Sequence, residues 1–192
     1  RLNGMTVGCV ANRTEVLDEE NEKTAEYEPV LGARGCDKAA EFVSFCDAFN
    51  IPVLALVNVK GYKQSKCTER RIAKAAGRLT YAFANADVPK VTVVIGEAYG
   101  SAYVTMNSKS IGADIVYAWP DAKIGMMDAA AAVKIMYAEE ISASDKAAAL
   151  ISEKAAEYEA LQADETRQRV IAAFEMLFTK REGRPSRKHG TV

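Results

Sequence analysis

A chain of 192 residues, 49% of them apolar, has the material for one domain with a sizeable core. Its formal net charge of −1 argues against a dedicated nucleic-acid binder, and no apolar run approaches the roughly 20 residues that cross a bilayer. Cys9, Cys36, Cys46 and Cys67 form no CxxC pair, so neither a disulfide framework nor a metal site is expected, and reduced thiols fit a cytoplasmic protein. The chain opens Arg1-Leu2-Asn3-Gly4 without Met or a signal-peptide pattern, as expected of a piece of a longer polypeptide.

Met5 to Ala11 alternates weakly and reads as a strand. Glu15 to Glu28 carries seven acids against Lys23 and reads as a solvated hairpin or loop rather than an acidic docking surface. Asp37 is placed to cap a helix running to about Phe49, with Phe42, Phe45, Cys46 and Phe49 on one stripe. Pro52 to Val59 is a short β-rich run, read as a buried strand. Lys60 to Lys66 is a polar loop pivoting on Gly61. A long helix is expected from about Thr68 to Asn85, because Ile72, Ala75, Ala76, Leu79 and Phe83 recur at helical spacing.

Pro89 starts the next strand, through Ile95. Gly96 to Gly100 reads as a turn and Ser101 to Lys109 as a helix. Ile115 to Trp119 is a further strand closed by Pro120, and Lys123 to Met126 fits a short one. Ala129 to Tyr137, Asp145 to Leu161 and Asp164 to Lys180 are helical by composition or periodicity. The tail from Arg184 to His189 is basic. Strands alternate with helices, which gives an α/β class, in one domain over 1–192.

His189, in that tail, is the sole histidine, which disfavours Ser-His-Asp and Cys-His chemistry. Backbone dipoles or a cofactor are the better candidates. Tyr99-Gly100-Ser101-Ala102-Tyr103 lies between a buried strand and a helix. The first amides of a helix lack an intrahelical acceptor, and together with the helix dipole they can stabilise an oxyanion. Gly100 and the small Ser101 and Ala102 let a ligand approach. An ordinary small-residue packing turn fits the spacing equally well. Ser101 as a nucleophile is disfavoured, since the pattern is not Gly-x-Ser-x-Gly. Asn58-Val59-Lys60-Gly61-Tyr62 leaves the end of a buried strand, where α/β folds often bind ligands. Lys60, Lys63, Lys66 and Arg70-Arg71 could meet phosphates, although solvated side chains are the commoner case. Met126, Met127 and Met136 read as core packing.

The stretch Asp37-Lys-Ala-Ala-Glu-Phe-Val-Ser-Phe-Cys-Asp-Ala-Phe-Asn-Ile-Pro resembles the carboxyltransferase subunits of propionyl-CoA and acetyl-CoA carboxylases. It is equally similar to methylmalonyl-CoA and glutaconyl-CoA decarboxylases. Val88-Pro-Lys-Val-Thr-Val-Val, Ala98-Tyr-Gly-Ser-Ala-Tyr-Val-Thr-Met-Asn-Ser-Lys and Gly112-Ala-Asp-Ile-Val-Tyr-Ala-Trp-Pro come next, in family order. The opening Arg1 to Asn12 resembles the start of the family's C-terminal half, and Arg187-Lys-His-Gly-Thr its end.

The resemblance implies a crotonase-like (Clp protease/crotonase) spiral of β-β-α units. It implies that this chain is the biotin-side half of a site whose other half, an N-terminal carboxyltransferase domain, binds the coenzyme A ester. The chemistry the resemblance implies is that carboxybiotin releases CO2, backbone amides hold the charge left on the ureido oxygen, biotin's ureido nitrogen takes the α-proton of the acyl thioester, and the resulting enolate captures CO2. Carried over by position, the donors are the amides of Ser101 and Ala102 after Gly100. Gly61 and Tyr62 match a Pro-Gly-Phe turn, and with Tyr103 and Val104 they fall on the cofactor side. Val104 matches a position that shapes the acyl pocket. A biotin carboxyl carrier protein, and either a biotin carboxylase or a membrane decarboxylase subunit, are the implied partners. Homo-oligomers, trimers or dimers of trimers, are implied as well.

Three stretches depart from the family. Ser101 stands where Gly is usual. The run Gln64-Ser-Lys-Cys-Thr-Glu-Arg-Arg71 is bulky and charged where the family has glycines, which points to a reshaped or closed biotin channel. Met127-Asp-Ala-Ala-Ala131 replaces a pattern with Gly and Glu. The family's segment with an Arg-Gly-Tyr core is either deleted or left out of this sequence where Gln162 runs into Ala163. Competing readings are a stand-alone crotonase-type hydratase, isomerase or thioesterase, and a non-catalytic half-domain kept for assembly.

Overall fold

The computed structural model describes residues 1–143 and 146–161. The expected helix Asp164 to Lys180, the basic tail with His189 and the start of the helix at Asp145 lie outside these residues. The chain is α/β, as its alternating pattern predicts. A parallel sheet runs in the order β1 (Gly8–Ala11), β5 (Val53–Val59), β7 (Lys90–Tyr99), β8 (Ile115–Ala118), with β9 (Lys123–Gly125) pairing farther along β7. The acidic stretch forms an exposed antiparallel hairpin of β2 (Glu15–Leu17) and β3 (Lys23–Glu26). A second small pair joins β4 (Val30–Leu31) to β6 (Gly61–Tyr62) in parallel.

Helix α1 (Ala33–Ala48) starts at Gly32, whose extended backbone gives no side-chain cap. Asp37 therefore does not cap it. The helix begins a turn earlier, and the Asp37 carboxylate instead meets Arg78 at 2.8 Å and Arg71 at 3.6 Å. Asn50 ends the helix at φ 52°, with Ile51 N–H bonding the Cys46 carbonyl and Asn50 N–H the Asp47 carbonyl. This is a left-handed cap of the kind Asn tolerates. The core side of α1 is Cys36, Ala40, Val43 and Cys46. Phe45 and Phe49 face outward instead, Phe49 at 65% exposure, while the partly exposed Phe42 lies beside Gly8 of β1. The smaller side chains let α1 sit close to the sheet and to the helix over 72–85, which leaves Phe45 and Phe49 on the far side.

The expected helix from Thr68 is two. Ser65 caps a short α2 (Lys66–Glu69) through its hydroxyl, which accepts the Thr68 amide, and α3 (Ile72–Asn85) restarts after Arg71. Ala75, Leu79 and Phe83 are buried as their spacing predicts. Fully burying a side chain such as Phe83 contributes about 2–3 kcal/mol. The α3 C-terminus is closed by buried Lys90, whose Nζ donates to the carbonyls of Phe83 (2.8 Å) and Ala86 (2.5 Å).

Strand β7 does not turn at Gly96 but runs through Tyr99 into α4 (Gly100–Thr105), which ends sooner than expected and precedes a 3-10 turn at Lys109–Ile111. Helices α5 (Ala129–Met136) and α6 (Ala138–Ala143), then a helix over 147–161, complete the described chain. Met126 and Met136 are exposed rather than core. Among the described residues no helix is long and apolar enough to cross a membrane.

Candidate functional site

The two segments singled out in sequence meet in space. Gly61 and Tyr62 form β6, next to the carboxyl end of β5, and Gly100 opens α4 at the carboxyl end of β7. The Tyr62 hydroxyl donates to the Ser101 carbonyl at 3.3 Å and lies 2.7 Å from Thr105 Oγ1. Thr105 Oγ1 also donates to the Ser101 carbonyl, at 3.0 Å. This tyrosine thus fastens the β6 turn to the first turn of α4.

The junction of β7 with α4 depends on Gly100. Its φ of 56° lies in the left-handed region, and a Cβ there would stand 2.9 Å from the Met126 carbonyl. Gly is the residue that meets both demands. No side chain caps α4. The amides of its first turn, like those of any helix, also have no carbonyl one turn back within the helix. Ser101 is exposed, Ala102 is buried, Tyr103 packs partly against the core, and Val104 is 38% exposed. Ser101 thus stands at the surface while Ala102 anchors the turn inside.

Two tyrosines flank these amides. Burial pushes the Tyr99 phenol up to about 12, and the charges of Glu97, Glu159 and Asp128 act in the same direction. Burial also raises Tyr103. Both hold their protons at neutral pH, so neither offers a base.

The charged run at 64–71 is partly tied down: Ser65 caps α2, and Arg71 reaches Asp37 on α1. Among the described residues, no group of three His, Cys, Asp or Glu side chains could hold a metal ion. A cavity of about 500 Å³ lies between the end of β1, Val30 to Gly32 and α1, lined by Asn12, Arg13, Lys38, Phe42 and Met106 among others. None of the site residues expected from sequence lines it, and its walls come from segments too far apart in the chain to signal it locally. Also missed are the two bonds by which the Asn12 side chain holds the Asn58 backbone.

A carboxyl transferase domain family matches residues 1–192. The chain is 44% identical over its whole length to a putative propionyl-CoA carboxylase beta chain of Bacillus subtilis, covering 39% of that protein. It is 37% identical, again over its whole length, to the methylmalonyl-CoA decarboxylase subunit alpha of Propionigenium modestum, covering 39% of it. The crystal structure of transcarboxylase 12S, a hexamer with methylmalonyl-coenzyme A and methylmalonic acid bound, superposes with a TM-score of 0.70 at 38% identity. That match takes in 100% of this chain and 38% of the other. The chain thus spans under two fifths of the relatives' length, and its sheet and helices adopt their crotonase-like carboxyltransferase fold.

Proposed function

This chain belongs to the carboxyl transferase domain family, and on that premise we propose that it forms the biotin-side half of an acyl-CoA carboxyltransferase site as a single domain over 1–192. The observation that carries this reading is the joining of Tyr62 to Ser101 at the carboxyl ends of β5 and β7. It supports a site built from the two segments that the family motifs single out.

In this reading the amides of Ser101 and Ala102, next after Gly100, donate to an oxygen on which negative charge develops. Donors fixed in a helix turn need no rearrangement when the charge appears, which makes them effective. Their chemistry fits the ureido oxygen of biotin, a neutral acceptor that gains charge. The exposed position of Ser101 is consistent with the approach of such a group. When bound in its N-carboxylated form, biotin would supply the carboxyl group that is transferred. Gly61, Tyr62, Tyr103 and Val104 flank the approach, with Tyr62 fixing the turn and Val104 presenting an apolar surface. The protonated Tyr99 and Tyr103 take no proton from substrate, so the residues of this half-site orient and stabilise rather than act as bases.

Substrates and partners are assigned by likeness. A short-chain acyl-CoA ester, held by an N-terminal carboxyltransferase half, faces these amides, and a biotin carboxyl carrier protein delivers the cofactor. Assembly into trimers or dimers of trimers completes the site. Relatives named as a carboxylase chain and as a decarboxylase subunit both match this chain. A decarboxylase component with the same chemistry, paired with a membrane subunit in place of biotin carboxylase, is the second reading.

The test is decarboxylation by the full-length protein that contains this chain, supplied with malonyl-CoA or methylmalonyl-CoA with and without free biotin. Loss of the carboxyl group that depends on biotin is the expected result. A well-assembled protein that turns over neither ester, or does so equally without biotin, overturns the proposal in favour of an assembly domain or a biotin-independent crotonase-type enzyme.

A further inference from the structure

The β1–β5 ladder ends at Ala11 opposite Leu56. Beyond it the Asn12 side chain takes over: Nδ2 donates to the Asn58 carbonyl, and Oδ1 accepts the Asn58 amide at 3.2 Å. Asn58 then does the same toward β7, its Oδ1 accepting the Glu97 amide at 3.0 Å. Two side-chain amides thereby continue the hydrogen-bond ladder across three strands.

The Asn58–Glu97 bond falls where β7 is irregular. The step from Val57 to Val59 on β5 faces the longer step from Val94 to Ala98 on β7. At the same place β7 exchanges one neighbour for another, pairing with β8 through Val94 and with β9 from Glu97. A bulge of this kind leaves ladder groups without partners and re-aims the chain beyond it. Asn58 supplies the missing acceptor. Its side chain also occupies the space over Gly96, where a Cβ would come within 2.6 Å of Oδ1. From Glu97 the chain passes through buried Ala98 and Tyr99 to Gly100, so the angle set at the bulge is the angle at which α4 begins.

We propose that Asn58 is a positioning residue for carboxyl transfer: its bond to the Glu97 amide fixes the exit of β7 and so the aim of the Ser101 and Ala102 amides, while Asn12 holds Asn58 in place. This role rests on the proposed function of those two amides and deepens it. Asn58 touches no reacting group. It acts through the backbone from Glu97 onward.

The experiment uses the full-length protein with Asn58→Ala, which removes the acceptor, and Asn58→Asp, which keeps an oxygen at that place. Backbone hydrogen exchange and steady-state carboxyl transfer are both read. In Asn58→Ala, exchange across 97–102 is expected to quicken by about tenfold or more while β1 and β8 keep their protection. The kcat falls by about tenfold or more and the KM for acyl-CoA stays within about twofold. Asn58→Asp returns both towards the parent. Gly96→Ala reaches the same bond from the other side, by displacing Oδ1, and should give the same exchange signature. Unchanged exchange at 97–102, loosening spread over the whole sheet, or an Asn58→Asp protein as impaired as Asn58→Ala overturns the proposal. The exchange arm is independent of the reaction. A parent protein that transfers no carboxyl group therefore sinks the functional reading, while the exchange pattern still decides the role of Asn58.

Discussion

The Tyr62 hydroxyl stands 2.7 Å from Thr105 Oγ1, and both hydroxyls reach the Ser101 carbonyl, at 3.3 and 3.0 Å. One tyrosine from β6 thus holds both ends of the first full turn of α4. Tyr62→Phe keeps the ring and removes only these bonds. A loss of about 1 kcal/mol of stability is expected, typical of a partly buried hydroxyl pair. A kcat lowered by about threefold to tenfold should accompany it, because the proposed donors would be held less firmly. Denaturant unfolding and carboxyl-transfer kinetics on the same preparation check this, and unchanged kinetics would remove Tyr62 from the site.

Ser101 is proposed to act through its main-chain N–H. Ser101→Ala keeps that donor and should retain most of the activity. Ser101→Pro deletes the donor at the second residue of α4, and because proline also restricts the left-handed Gly100 before it, Gly100→Ala serves as its control for backbone displacement. Ser101→Pro should lower kcat by about 100-fold or more, as the loss of one oxyanion donor does. The thermal melt of each variant verifies folding. An Ala variant as inactive as the Pro variant would mean that the hydroxyl itself reacts.

Much of the sheet is legible in the sequence because its signals are local. The β-rich run before Val59 and the spacing of Ala75, Leu79 and Phe83 each lead to a strand or a buried helix face. The α1 reading fails where apolar residues occupy more than one face. Spacing predicts a stripe of phenylalanines, but the close approach of α1 to α3 favours the small Cys36, Ala40 and Val43 on the inside. The turn expected at Gly96 fails for a different reason. The bulge there is held by Asn58, a partner far away in sequence that leaves no local pattern. Likewise Tyr62 and Thr105, 43 residues apart, are joined only by the fold. Their two segments stand out as candidates chiefly through the family resemblance.

Gly100 answers to both conformation and space, since φ is 56° and the Met126 carbonyl lies 2.9 Å from where a Cβ would be. Gly100→Ala should therefore cost about 1–3 kcal/mol, more than a change in an unstrained loop. The strain falls at the start of α4, so activity should fall further than the melting temperature implies. Calorimetry with matched kinetics measures both, and a variant with parental stability would contradict the tight contact with Met126.

Alkaline pH should loosen this fold through protons that it holds too firmly. Burial, then the charge of Asp37, raises the Cys36 thiol from its ordinary 9.0 to about 11, and burial raises Tyr99 from 10.0 to about 12. In both cases the folded state disfavours the charged form. As pH rises past about 9 the unfolded chain releases the thiol proton while the folded chain keeps it, so the unfolded state gains and stability falls. The decline from Cys36 runs between about pH 9 and pH 11 and amounts to something on the order of 2 kcal/mol, with Tyr99 adding to it about one unit higher. Neither group tilts the curve below about pH 8. Unfolding free energies measured in urea from about pH 8 to pH 11 should show this slope. Cys36→Ala lowers stability at every pH by opening a small cavity, and it should flatten the stretch between 9 and 11. An Ala variant that keeps the parental slope would show that the buried thiol is not its source.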